Sequence, residues 1–92
     1  MAEFDWHAYG FVISSEYRKK IVSSLGVTPR TPKQISVSTS LHLNHVSSTL
    51  AVLEKLRVVS CLTPELRKGK LFALTELGRE ISSKIEGQEA SV

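Results

Sequence analysis

The order in which hydrophobic periodicity changes along this chain restricts its fold more than any other feature. Tyr17, Ile21, Val22 and Leu25 recur at helical spacing behind Ser14 and Ser15, either of which can cap, with Glu16 in the first turn and Gly26 at the end. Residues 28–32 hold two prolines and read as a turn. Pro32 suits the first position of a second helix over 32–39, capped by Thr31 and anchored by Ile35. Leu41 and Leu43 lead into a third helix over 43–56, where Val46, Leu50 and Leu53 form one stripe. Two strand-like runs follow, 58–62 and 70–74, joined by a loop that contains Pro64 and Gly69. Thr75 then caps a last helix with Glu76 in its first turn, Leu77, Ile81 and Ile85 on one face, and Gly87 as its stop. Helix, helix, helix, strand, strand, helix is an order that very few folds of this size share. The expected class is mainly α with a small β-hairpin.

At 92 residues the chain has room for one modest core. Its 41% hydrophobic and 23% charged residues suit an ordinary globular domain, and no apolar run approaches the ~18 to 20 residues of a membrane span. The first residues are acidic and aromatic, unlike a signal peptide, which points to the cytoplasm. The single cysteine, Cys61, agrees with a reducing compartment and reads as an ordinary packed strand residue.

Charge is distributed unevenly. Residues 1–13 carry −2, 14–34 carry +4, 35–53 carry no Asp, Glu, Lys or Arg, 54–75 carry +3, and 76–92 return to −2. A basic middle between acidic ends suits a polyanionic partner, since Lys and Arg that displace phosphate counterions supply most non-specific affinity. A solvated surface of mixed charge is the alternative.

Thr31-Pro32-Lys33-Gln34-Ile35-Ser36, Ser40-Leu41, the run Asn44 to Leu50, and Leu53-Glu54-Lys55-Leu56 together resemble a helix-turn-helix. Residues 65–80, with Leu74-Thr75 and then Gly78, resemble the wing and final helix of ArsR- and MarR-like winged-helix regulators, especially small archaeal ones. The likeness covers residues 14–86. It implies a supporting second helix, a third helix in the major groove, and a hairpin wing on the backbone or minor groove of double-stranded DNA. It also implies a small residue where the helices cross, at Ser36, and a left-handed turn four residues later. Ser40 stands there instead of glycine, at a cost of roughly 1 kcal/mol. Arg57 stands where similar regulators often carry a capping glycine, and Ser48 where many carry arginine.

Under this reading Asn44, His45, Ser47 and Ser48 are the base-reading candidates, because Asn pairs bidentately with adenine and Ser or His donate to bases or phosphates. Arg67, Lys68 and Lys70 flank Gly69 at the wing tip as phosphate or minor-groove contacts, and Lys33 adds a backbone contact. Arg18, Lys19 and Lys20 read instead as a solvated face or as partners of the acidic tail. The short serine at position 48 shifts weight toward phosphates and DNA shape. Two other uses of the fold stay open: a winged helix for protein contact, and one for RNA.

His42 and His45 lie three apart but lack a third ligand, so no metal or other cofactor is expected, nor is a small-molecule effector evident. No Gly-x-Ser-x-Gly elbow, acid–base pair or phosphate-binding glycine loop appears, so the chain does not read as an enzyme. Residues 14–87 form the expected domain and 88–92 a frayed tail. Five of the six aromatic residues, Phe4, Trp6, Tyr9, Phe11 and Tyr17, crowd into the first seventeen positions. Residues 1–13 either extend the core or meet a twofold partner, with Ile81 and Ile85 contributing to that homodimer interface.

Overall fold

The computed structural model describes residues 4–26 and 28–90, the last three by backbone alone. The chain runs through α1 (Trp6–Ile13), α2 (Glu16–Ser24), α3 (Pro32–Thr39), α4 (Leu43–Lys55), β1 (Val59–Cys61), β2 (Phe72–Leu74) and α5 (Glu76–Ala90). This is the winged helix-turn-helix order, with a helix added in front.

That added helix is the largest departure from the sequence reading, which treated residues 1–13 as a segment without assigned structure. Asp5 caps it by accepting from the Ala8 N–H at 3.0 Å, and Ala8, Tyr9 and Val12 turn into the core. Trp6 and Phe11 place aromatic bulk on other faces, so no clean apolar stripe marks the helix. Phe4, Phe11 and Tyr17 pack against the core from its margin, and Trp6 remains 64% exposed. Arg18 ties α1 to α2. Its guanidinium donates to the Phe11 carbonyl at 2.5 Å and the Ser14 hydroxyl at 2.9 Å, and lies 3.7 Å from the Phe11 ring centroid. Lys19 pairs with Glu16 at 2.9 Å. Arg18 and Lys19 thus make local contacts on α1 and α2.

The other helices begin as their sequences require. Ser15 takes the N-cap position of α2, while the Ser14 hydroxyl turns back to the Phe11 carbonyl. At α3 Thr31 and Gln34 form a reciprocal capping box with Pro32 at the first turn. α5 continues through Gly87 to Ala90, beyond the expected stop. An added Cβ at Gly87 would meet nothing within 4 Å, so this glycine neither turns the chain nor fills a contact. Residues 91 and 92 of the expected tail lie outside the described residues.

The core joins Val12 of α1, Ile21 and Val22 of α2, Ile35 of α3, Val46, Leu50 and Leu53 of α4, and Ile81 and Ile85 of α5, all essentially inaccessible. Ile81 and Ile85 are thus consumed inside one chain. The expectation that they contribute to a dimer interface is corrected by that burial.

The hairpin is shorter than the two five-residue runs suggested. Val59 pairs with Leu74, Ser60 with Ala73 and Cys61 with Phe72, and a further bond runs from Leu62 N–H to the Leu71 carbonyl at 2.7 Å. The Val58 carbonyl continues the register by accepting from the Thr75 N–H at 3.1 Å, but the Val58 N–H donates to the Leu53 carbonyl at 2.9 Å, so the ladder ends there. The same carbonyl would lie 2.1 Å from a Cβ on Gly78, so glycine is required where α5 starts against β1. Thr75 completes the junction: its hydroxyl donates to the Arg57 carbonyl at 2.5 Å and accepts from the Gly78 N–H at 3.1 Å. On the opposite edge of β2, Arg30 and Phe72 exchange two backbone bonds of 2.9 Å. This one-residue third strand, inside what the sequence marks as a turn, anchors the hairpin beside the start of α3. No described helix is long and apolar enough to cross a membrane.

Candidate nucleic-acid interface

α3 and α4 are joined by three residues, Ser40, Leu41 and His42. Ser40 closes α3 in the left-handed region, at φ 61° and ψ 29°. Leu41 and Val46 flank the start of α4 and both pack on the core, the arrangement of a hydrophobic staple. His42 stands at the N-cap without a side-chain cap bond. Ser36 lies half-buried between the helices and donates to the Leu41 carbonyl at 2.5 Å, so its hydroxyl fastens the turn as well as keeping the crossing narrow.

With Val46, Leu50 and Leu53 buried, the outward face of α4 presents Asn44, His45, Ser47 and Ser48, all exposed. Their freedom differs. Asn44 and Ser47 make no side-chain hydrogen bond among the described residues. Ser48 donates to the His45 carbonyl at 3.1 Å, leaving its lone pairs outward. His45 packs its ring on Tyr17 of α2, with centroids 4.2 Å apart and planes at 69°.

The loop 62–71 forms the wing. Gly69 turns it at φ +66°, Arg67 and Lys68 are exposed, and Lys70 is half-buried. The Leu71 N–H donates to the Thr63 hydroxyl at 2.9 Å, closing the loop's base. Between the wing, the start of α3 and the face of α4 lies a groove of about 660 Å³. Lys33, Arg67, Lys68 and Lys70 form its rim, Ser47 and Leu43 one wall, and Leu50 and Phe72 its floor. No carboxylate lines it, and none of its four cations is ion-paired among the described residues.

The fold therefore brings Lys33, Ser47, Arg67, Lys68 and Lys70 into one groove, from positions up to 37 residues apart. Asn44, His45 and Ser48 do not line it; they occupy the adjoining exposed face of α4. Lys19 is held elsewhere, on α2, where its ammonium keeps the Glu16 carboxyl below the ordinary range through a hydrogen bond and charge attraction. Leu43 was not among the sequence candidates. Its spacing to Val46 and Leu50 places it on the buried stripe, yet it is 45% exposed because the first turn of α4 projects past the core. Arg30, also unassigned from sequence, donates to the Ser24 carbonyl at 2.7 Å and serves the hairpin anchor. Among the described residues no group of three or more His, Cys, Asp or Glu could hold a metal ion.

No family model matches the chain, and no curated protein sequence does. Solved structures do. A MarR family transcription regulator, SP03579, superposes with a TM-score of 0.77 at 20% identity, over 92% of this chain and 58% of its own. NMB1585, a MarR family regulator from Neisseria meningitidis, gives 0.75 at 22% identity, over 84% of this chain and 56% of its own. The homodimeric winged helix-turn-helix DNA-binding domain of Mb0332 from Mycobacterium bovis, a possible ArsR-family regulator, gives 0.70 at 18% identity, over 92% and 80%. The chain spans little more than half the length of the two MarR-type structures. What these likenesses share with it is the winged helix fold.

Proposed function

We propose that this chain is a double-stranded-DNA-binding domain that regulates transcription, with α4 in the major groove and the wing on the backbone or minor groove. The observation that carries this reading is the groove rimmed by Lys33, Arg67, Lys68 and Lys70 without a carboxylate, beside an exposed polar helix face. Four unpaired cations on one concave surface match a track of phosphates. Asn44 and Ser47, whose side chains make no hydrogen bond among the described residues, are the foremost base-reading side chains. Ser48 offers its lone pairs, and His45 reads from a ring steadied by Tyr17. The solved relatives named as transcription regulators support the same use of the fold. The working site is in the cytoplasm, and the chemistry is binding, with no reaction catalysed.

A homodimer is part of the proposal. One helix of this length reads few base pairs, and two copies on a twofold axis reach half-sites about 34 to 36 Å apart. The Mb0332 domain is homodimeric. With Ile81 and Ile85 buried, the apolar surface left for a partner on this side is the rim of α1 around Trp6, against Lys84 of α5, whose ammonium lies 5.2 Å from the Trp6 ring.

Affinity for random-sequence duplex DNA at two salt concentrations tests the reading. Four displaced counterions lower affinity on the order of a hundredfold between ~50 and ~200 mM salt. Absence of binding at ~50 mM salt would refute it and leave the groove to a protein partner. Equal affinity for duplex RNA would refute major-groove reading, because the A-form major groove is too deep and narrow for a helix face.

A further inference from the structure

We propose, resting on the DNA-binding reading above, that Leu43 is a base-reading residue whose isobutyl group seats on the C5-methyl of a thymine in the major groove. Leu43 is the first residue of α4 and 45% exposed. Neither local role that would place a leucine there applies. The capping position belongs to His42, and the staple is made by Leu41 with Val46, so Leu43 takes no part in the core. One turn on, Ser47 shares its face, and Leu50 follows at the groove floor with 1% exposure. The stripe Leu43, Ser47, Leu50 thus runs from open to buried along one wall of the cationic groove.

The occupant follows from the surroundings. Lys33, Arg67, Lys68 and Lys70 on the rim, with no carboxylate, select a polyanion over an apolar peptide. On duplex DNA the N-terminal residues of such a helix meet base edges, and the only apolar group those edges present in the major groove is the thymine methyl. An exposed aliphatic side chain at that point removes both itself and the methyl from water. An amide or hydroxyl on the same face does not discriminate thymine from uracil. Leu43 does.

The test uses the full chain and a duplex selected with it from a random-sequence library. The duplex is remade with deoxyuridine in place of thymidine at one position at a time, which removes the methyl and leaves every hydrogen-bonding group. For the parent, at least one replacement weakens binding about fourfold, the equivalent of about 0.8 kcal/mol for one methyl-sized group buried. Leu43→Ala and Leu43→Gln each bind the thymidine and deoxyuridine forms of that duplex alike. Gln keeps length and helix propensity, so it separates loss of the methyl contact from loss of helix structure, and a thermal melt by circular dichroism verifies folding of both. Parent binding indifferent to replacement at every thymine would overturn the assignment while leaving DNA binding intact, as would an unchanged deoxyuridine effect in both variants. Failure to bind any duplex at ~50 mM salt removes the DNA reading and this assignment with it.

Discussion

Among the described residues, two other than glycine hold left-handed backbone, Ser40 at φ 61° and Arg57 at φ 64°. Each carries a Cβ against the neighbouring carbonyl, at a cost of roughly 1 kcal/mol or more. Glycine removes that strain but adds freedom to the unfolded chain. Ser40→Gly and Arg57→Gly are therefore each expected to raise stability by about 0.5 to 1 kcal/mol, read as a higher urea midpoint at constant slope. A fall in midpoint for either would mean that the serine hydroxyl or arginine head contributes more than the strain removes. Gly78 behaves oppositely. A Cβ there meets the Val58 carbonyl, so Gly78→Ala is expected to lose about 1 to 3 kcal/mol, measured in the same titration. Ser40 was legible in the sequence because its four-residue offset from Ser36 is a property of the local chain. Leu43 was not, since its spacing alone puts it on the buried stripe.

Among the elements, wing and α4 divide the work in the proposed complex. Arg67, Lys68 and Lys70 come from one loop, and phosphates lie at the same spacing in every sequence. Replacing all three with Ala is expected to weaken binding to all duplexes and to reduce the slope of log affinity against log salt by about 3. A slope equal to the parent's would end the wing's role. Asn44→Ala is expected to keep the salt slope and flatten preference among sequences, with about 1 to 3 kcal/mol of discrimination lost at one base pair. Competition between selected and random duplexes measures it. The paired elements themselves were readable: the Thr31 capping box, Pro32, and the Leu74-Thr75 and Gly78 junction are short-range patterns with one satisfactory geometry. α1 was not readable, because its stripe of Ala8, Tyr9 and Val12 is obscured by aromatic residues around it.

For the whole molecule, the proposed homodimer has a direct optical test. Trp6 is the single tryptophan, and its ring is 64% exposed in the isolated chain. If the rim of α1 forms the twofold contact, Trp6 fluorescence shifts to shorter wavelength as concentration rises, in step with a sedimenting mass that doubles from 10.2 kDa. Trp6→Ala is expected to hold the mass at the monomer value over the same range. A parent that stays at 10.2 kDa at micromolar concentration, with and without duplex DNA, would exclude the dimer.

From α2 onward the sequence by itself determined the order of elements, the Thr31 and Thr75 caps, the apolar stripes and the basic character of the wing, all of which depend on residues within a few positions of one another. The tertiary structure alone decided that Lys33 joins Arg67, Lys68 and Lys70 around one groove, because the backbone exchange between Arg30 and Phe72 brings the start of α3 to the hairpin. It also decided that Ile81 and Ile85 face inward while Leu43 faces out. Helical periodicity assigns residues to a face, but which stretch of that face is covered depends on how far the neighbouring helices extend, and no local pattern encodes that length.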